Sequence, residues 1–193
     1  MWEKIKEMFF YGSDPTAMGA PMNVEISLST WIISDTHFFQ LEAEQLFHRP
    51  SAWQNLLIQN WQRQVRADEM VLHLGDLSLG IMDDLAALIP FLPGRMILVR
   101  GNHDKFPAEH YSQLGIVLVE GSLDTLITDS TGKAHWLRFS HEPEPPMRGL
   151  LNLHGHIHNL PHITTNQPGY INCSIEVMEY RLWRLSEILA DKV

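Results

Sequence analysis

The sequence predicts an α/β fold in which two mixed sheets pack face to face and helices flank them. Three observations lead there. The first half alternates strand, helix, strand, helix, strand, the pattern of βαβ units. The second half pairs two apolar runs across a polar turn and then adds short strands. Residues able to do chemistry recur where those strands stop.

The elements follow in order. Val24, Ile26 and Leu28 alternate with polar residues, and Trp31-Ile32-Ile33 then runs into Asp35, which reads as a strand delivering a motif. Trp53, Leu57, Trp61 and Val65, with Leu56 beside them, have helical spacing over residues 51–65. Met70-Val71-Leu72-His73-Leu74 is the next strand and ends at Gly75-Asp76. Asp83 and Asp84 head an apolar helix through Leu92, since carboxylates favour the positive end of a helix dipole, and Pro93-Gly94 stops it. Met96-Ile97-Leu98-Val99 leads to Gly101-Asn102. The runs 124–127 and 135–139 flank a polar turn as a hairpin. Leu150-Leu151-Asn152-Leu153 delivers His156 and His158, Tyr170-Ile171-Asn172 opens a closing strand, and Trp183 to Leu189 forms a final helix.

The 193 residues suit one domain. The loop composition of residues 11–21 places its start near Met22, giving an N-terminal extension (1–21) and a main domain (22–193). Trp2, Ile5, Met8 and Phe9 form an amphipathic stripe in the extension, and Trp2, Phe9, Phe10 and Tyr11 offer a surface for a homo-oligomer. No stretch approaches the roughly 20 apolar residues of a membrane span. The N-terminus lacks a signal-peptide core, so the cytoplasm is the expected location. A net charge of -9 argues against stable nucleic-acid binding. The sole cysteine, Cys173, excludes an intrachain disulfide and reads as a small buried hydrophobe. Of the 11 histidines, His73 and His154 fit buried strand positions, whereas His48, His110, His135 and His162 fit loops or surface.

Five segments carry the chemistry: Asp35-Thr36-His37, Gly75-Asp76, Gly101-Asn102-His103-Asp104, Ser140-His141 and Gly155-His156-Ile157-His158. Asp35, His37, Asp76, Asn102, His141, His156 and His158 mix imidazole, carboxylate and amide oxygen, which divalent metals of intermediate softness accept together. Asp76, alone at a strand tip, suits a carboxylate shared by two cations. Such a pair, ~3.5–4 Å apart, holds a bridging hydroxide and clamps a phosphoryl group. A leaving alkoxide then needs a proton. His103 is positioned to give it, with Asp104 orienting the ring.

The pattern resembles the calcineurin-like metallophosphoesterase superfamily, whose signature is Asp-x-His, Gly-Asp, Gly-Asn-His-Asp/Glu, a lone His and Gly-His-x-His. The resemblance spans roughly Trp31 to Glu187. Ser34-Asp35-Thr36-His37-Phe38 and Asn172-Cys173-Ser174-Ile175-Glu176-Val177 look like a small, uncapped bacterial-type branch. The resemblance implies a four-layer α/β/β/α sandwich. It implies one cation on Asp35, His37 and His158, another on Asn102, His141 and His156, and Asp76 between them. It also supports His103 and Asp104 as the catalytic pair. Two departures stand out: Gln40 replaces a histidine common in relatives, and Glu142 adds negative charge beside His141. The segment Gly75-Asp76-Leu77-Ser78-Leu79-Gly80 lacks the Asp and Arg of protein phosphatases.

The expected function is therefore hydrolysis of a small phosphate ester, a diester before a monoester, with two divalent cations. Manganese is the first choice, and iron, zinc or nickel are admitted by the same donors. The competing expectations are a non-catalytic scaffold of the same fold and a nuclease.

Overall fold

The computed structural model describes residues 25–160 and 167–192. The expected extension over residues 1–21, its oligomer surface and His162 lie outside these.

Two mixed sheets stack with helices around them, as expected. The first has the order β4-β3-β2-β1-β9, comprising β1 (Trp31–Ile33), β2 (Met70–His73), β3 (Arg95–Val99), β4 (Val117–Val119) and β9 (Trp183–Arg184). Strands β1 to β4 are parallel and β9 is antiparallel to β1. The second sheet has the order β5-β6-β7-β8, from β5 (Ser122–Thr128), β6 (Ala134–Ser140), β7 (Leu150–His154) and β8 (Tyr170–Asn172). Here β5 and β6 form the antiparallel hairpin, while β6, β7 and β8 run parallel.

The buried strands β1 and β2 are apolar on both faces, because each face meets a different layer. Ile33, Val71 and Leu98 turn outward into one core with the helices. Ile32, Leu72, Ile97 and Val99 turn inward against Leu137, Phe139, Leu153 and Ile171 of the second sheet. Helix α1 is Ala43–Leu46 and α2 is Trp53–Gln64, whose Trp53, Leu57 and Trp61 form one buried stripe. Helix α3 is Met82–Leu88, α4 is Ala108–Gln113, and α5, Leu185–Lys192, closes the described chain. None of these helices is long and apolar enough to cross a membrane.

Several local expectations are corrected. The helix expected to run through Leu92 ends at Leu88 and continues as a 3-10 turn, Ile89–Phe91. Pro90 has no N–H and its ring crowds the preceding turn, which ends α-helical geometry. Trp183 and Arg184 are an edge strand rather than the start of the last helix. Arg184 earns that place by lying 4.1 Å over the Trp31 ring and pairing with Glu69 at 2.7 Å. His135 is buried, not surface, and its Nε2 lies 2.8 Å from Asp129, whose carboxylate also closes the hairpin turn. His73 and His154 are fully buried core histidines, as expected.

Candidate metal centre

All five motifs begin where parallel strands end. Strand β1 leads to Asp35 and His37, β2 to Asp76, β3 to Asn102, β6 to His141, and β7 to His156 and His158. In parallel sheets the same ends of neighbouring strands lie together, so five distant stretches share one edge. Backbone bonds lace them: Asp35 N–H donates to Gly75 O at 3.0 Å, His37 N–H to Asp76 O at 2.9 Å, and Gly155 N–H to His141 O at 2.9 Å.

The seven residues singled out from sequence converge into two adjoining sets. In one, His37 Nε2 lies 3.9 Å and His158 Nε2 4.0 Å from Asp35 Oδ1. In the other, Asn102 Oδ1 lies 2.8 Å from His141 Nε2 and 3.0 Å from His156 Nδ1. Between them is Asp76, whose Oδ2 faces His37 Nε2 at 3.3 Å and His141 Nε2 at 3.4 Å. That is where a shared carboxylate would stand.

The local backbone is unusual. Asp35, His37, Asp76, His156 and His158 all have positive φ, between 46° and 70°. Side chains rarely adopt this region, and such strain concentrates at functional sites. Two glycines permit the close approach. A Cβ at Gly101 would collide with the Asp76 backbone nitrogen and carboxylate, and one at Gly155 with Ser34 Oγ and Asp35 Oδ2.

The donors suit divalent cations. Neither ring nitrogen of buried His37 has a hydrogen-bond partner, although Nε2 faces two carboxylates. A buried polar atom left so is the kind a cation would complete. The field agrees. Burial alone would push the Asp76 carboxyl up, yet the nearby rings of His141 and His37 hold it well below the usual carboxylate range. Burial pulls His141 down, but Asp76 and Asp35 outweigh it and raise it to about 9. The carboxylates of Asp35 and Asp76 thus favour positive charge at the His141 position.

His103 is exposed, its ring centroid 5.3 Å from that of His37. Asp104 does not orient that ring. Its Oδ2 accepts the N–H groups of Asp76 and Gly101, both at 2.8 Å, and its Oδ1 accepts that of Leu77 at 3.0 Å. It braces the second motif against the third.

Sequence reasoning missed a supporting layer. Ser174 donates to Asp35 Oδ2 at 2.8 Å, and Asn172 donates to His158 O at 2.6 Å. Glu176 lies 3.1 Å from His158 Nδ1 and pairs with buried Arg49. The stretch 172–177 was a visible signal, whereas Arg49 was not, because one arginine in a loop usually faces solvent.

Similarity to known proteins is found both in sequence and in fold. The model for the calcineurin-like phosphoesterase superfamily domain matches residues 28–173. The uncharacterized protein MJ1445 of Methanocaldococcus jannaschii is 28% identical over 161 residues, covering 78% of this chain and 84% of that protein. A crystal structure of the protein of unknown function AQ665 from Aquifex aeolicus superposes with a TM-score of 0.64 at 24% identity, covering 83% of this chain and 97% of that one. The nuclease MPE from Pseudomonas putida superposes with a TM-score of 0.44 at 18% identity, covering 67% and 62%.

Proposed function

Because the chain belongs to the calcineurin-like phosphoesterase superfamily, we propose that it hydrolyses small phosphate esters, diesters by preference, with a pair of divalent cations. The observation that supports this is the position of Asp76 Oδ2, 3.3 Å and 3.4 Å from histidines of two separate donor sets. Asp35, His37 and His158 would hold one ion, Asn102, His141 and His156 the other, and Asp76 would serve both. When bound, the ions supply Lewis acidity to the phosphoryl oxygens and acidify a water.

The chain's own residues do the rest. His103, exposed at the rim beside His37, donates a proton to the leaving oxygen. Asp104 keeps the Asp76 and Gly101 turns together, so the acid and the shared carboxylate hold one geometry. The Asp76 carboxylate is itself oriented by the His103 N–H, which donates to its Oδ1 at 2.8 Å. Two arginines close to the donor sets support the diester preference. Arg49 is committed to Glu176, and Arg100 to Glu120, so neither clamps the second charge of a monoester.

The test is elemental analysis with an assay on bis-p-nitrophenyl phosphate. The expected result is two bound equivalents and turnover with manganese. Absence of bound metal and of turnover with manganese, iron, zinc and nickel rejects the reading.

A further inference from the structure

Arg49 is 4% exposed, and a guanidinium so buried must have its donors satisfied. Its Nε and Nη2 reach Glu176 Oε1 at 2.7 Å and 2.6 Å. Two more donors go to backbone carbonyls of the first motif: Nη2 to Asp35 O at 2.7 Å and Nη1 to Thr36 O at 3.0 Å. The guanidinium carbon lies 4.2 Å from the Trp53 ring centroid and 5.0 Å from that of Phe47. Four of its five N–H donors thus have acceptors.

The same oxygen of Glu176 also meets an imidazole. Oε1 lies 3.1 Å from His158 Nδ1, and a carboxylate beside an arginine only accepts. His158 Nδ1 therefore donates, and in the neutral ring this leaves the lone pair on Nε2, which faces Asp35. Phe47 stacks on the His158 ring at 3.6 Å and 10°, so the imidazole has little freedom to turn. One guanidinium thus ties the backbone of Asp35 to the ring of His158, although the two residues come from opposite sheets.

We propose that Arg49 and Glu176 are positioning residues for the donor set of Asp35, His37 and His158: Glu176 fixes the His158 tautomer, and Arg49 locks Glu176 to the first motif. This rests on the two-cation reading above. The second set has a different support, since His141 Nδ1 donates to a backbone carbonyl, Leu74 O, at 2.9 Å. Loss of the Arg49–Glu176 pair is therefore felt by one cation and not the other.

The experiment titrates the metal-free full chain with manganese by calorimetry, comparing wild type with Glu176→Ala, Glu176→Gln, Arg49→Met and Arg49→Lys. Nitrogen-15 shifts of the His158 ring are read in the same metal-free samples. The expected result is that one equivalent weakens about 10–100-fold in Glu176→Ala and Arg49→Met, the scale of lost support behind a ligand, while the other is retained. The His158 signal moves from a single Nδ1–H tautomer to a mixture. Glu176→Gln, which keeps an acceptor oxygen, restores most of both. Arg49→Lys keeps the charge but not the fork, and weakens the same equivalent. Where an alanine or methionine variant does not fold, Arg49→Lys carries the same comparison. Wild-type affinity for both equivalents with an unchanged tautomer in Glu176→Ala, Arg49→Met or Arg49→Lys overturns the proposal, as does equal weakening of both. A wild-type chain that binds fewer than two equivalents overturns the two-cation reading itself.

Discussion

The carboxylate of Asp104 accepts the backbone N–H of Asp76 at 2.8 Å, so the third motif holds the second in place. With Leu77 and Gly101 donating to the same group, three buried N–H groups depend on one side chain. Asp104→Ala leaves them without an acceptor, at about 1–3 kcal/mol per orphaned group before any relaxation. The expected loss of stability, roughly 2–5 kcal/mol once relaxation and water are allowed for, is measured by urea denaturation of the metal-free protein.

His103→Ala tests the proposed acid separately. No neighbour holds its ring by a hydrogen bond among the described residues, so removing it costs little stability. Turnover of a diester with a poor leaving group is expected to fall about 10²–10⁴-fold, with bound metal unchanged by elemental analysis. A diester with an activated leaving group needs less protonation and should be hurt less.

Much of this site was legible in the sequence because its donors are polar residues at strand ends, where periodicity breaks abruptly. Asp35 after Trp31-Ile32-Ile33, and Asp76 after the β2 run, are such breaks. The supporting residues were not legible. Arg49 becomes meaningful only when folding brings Glu176, 127 positions away, against it. The task of Asp104 was misread for a related reason. Adjacency to His103 in the chain suggested a side-chain pair, but the turn aims the carboxylate back at the Asp76 and Gly101 backbone. Among the elements, β9 escaped notice because two residues carry no periodicity, and its strand character comes from pairing with β1.

The raised His141 gives a pH signature. In the metal-free protein its folded value, about 9, exceeds the ordinary 6.5, so its contribution to stability is full below about 6.5 and is lost as pH rises through 9. Cation binding runs the opposite way, because the ring must give up its proton. Affinity of the second donor set is expected to climb about tenfold per pH unit toward 9 and then level off. Calorimetric titration across that range in several buffers checks both the slope and the released proton.

Gly155→Ala is the smallest change that should disable the centre. The added methyl would collide with Ser34 Oγ and Asp35 Oδ2, forcing the His156 segment away from the Asp35 carboxylate that accepts its N–H. The expected outcome is loss of bound metal, read by elemental analysis, in a protein whose circular dichroism stays folded.

The donors come from the crests of both sheets, His37 and Asp76 from one, His141 and His158 from the other. A cation held there would act as a rivet through the seam of the sandwich. Removing it would loosen the strand tips first and spare the apolar middle, so amide exchange should quicken along that rim while the interior stays protected.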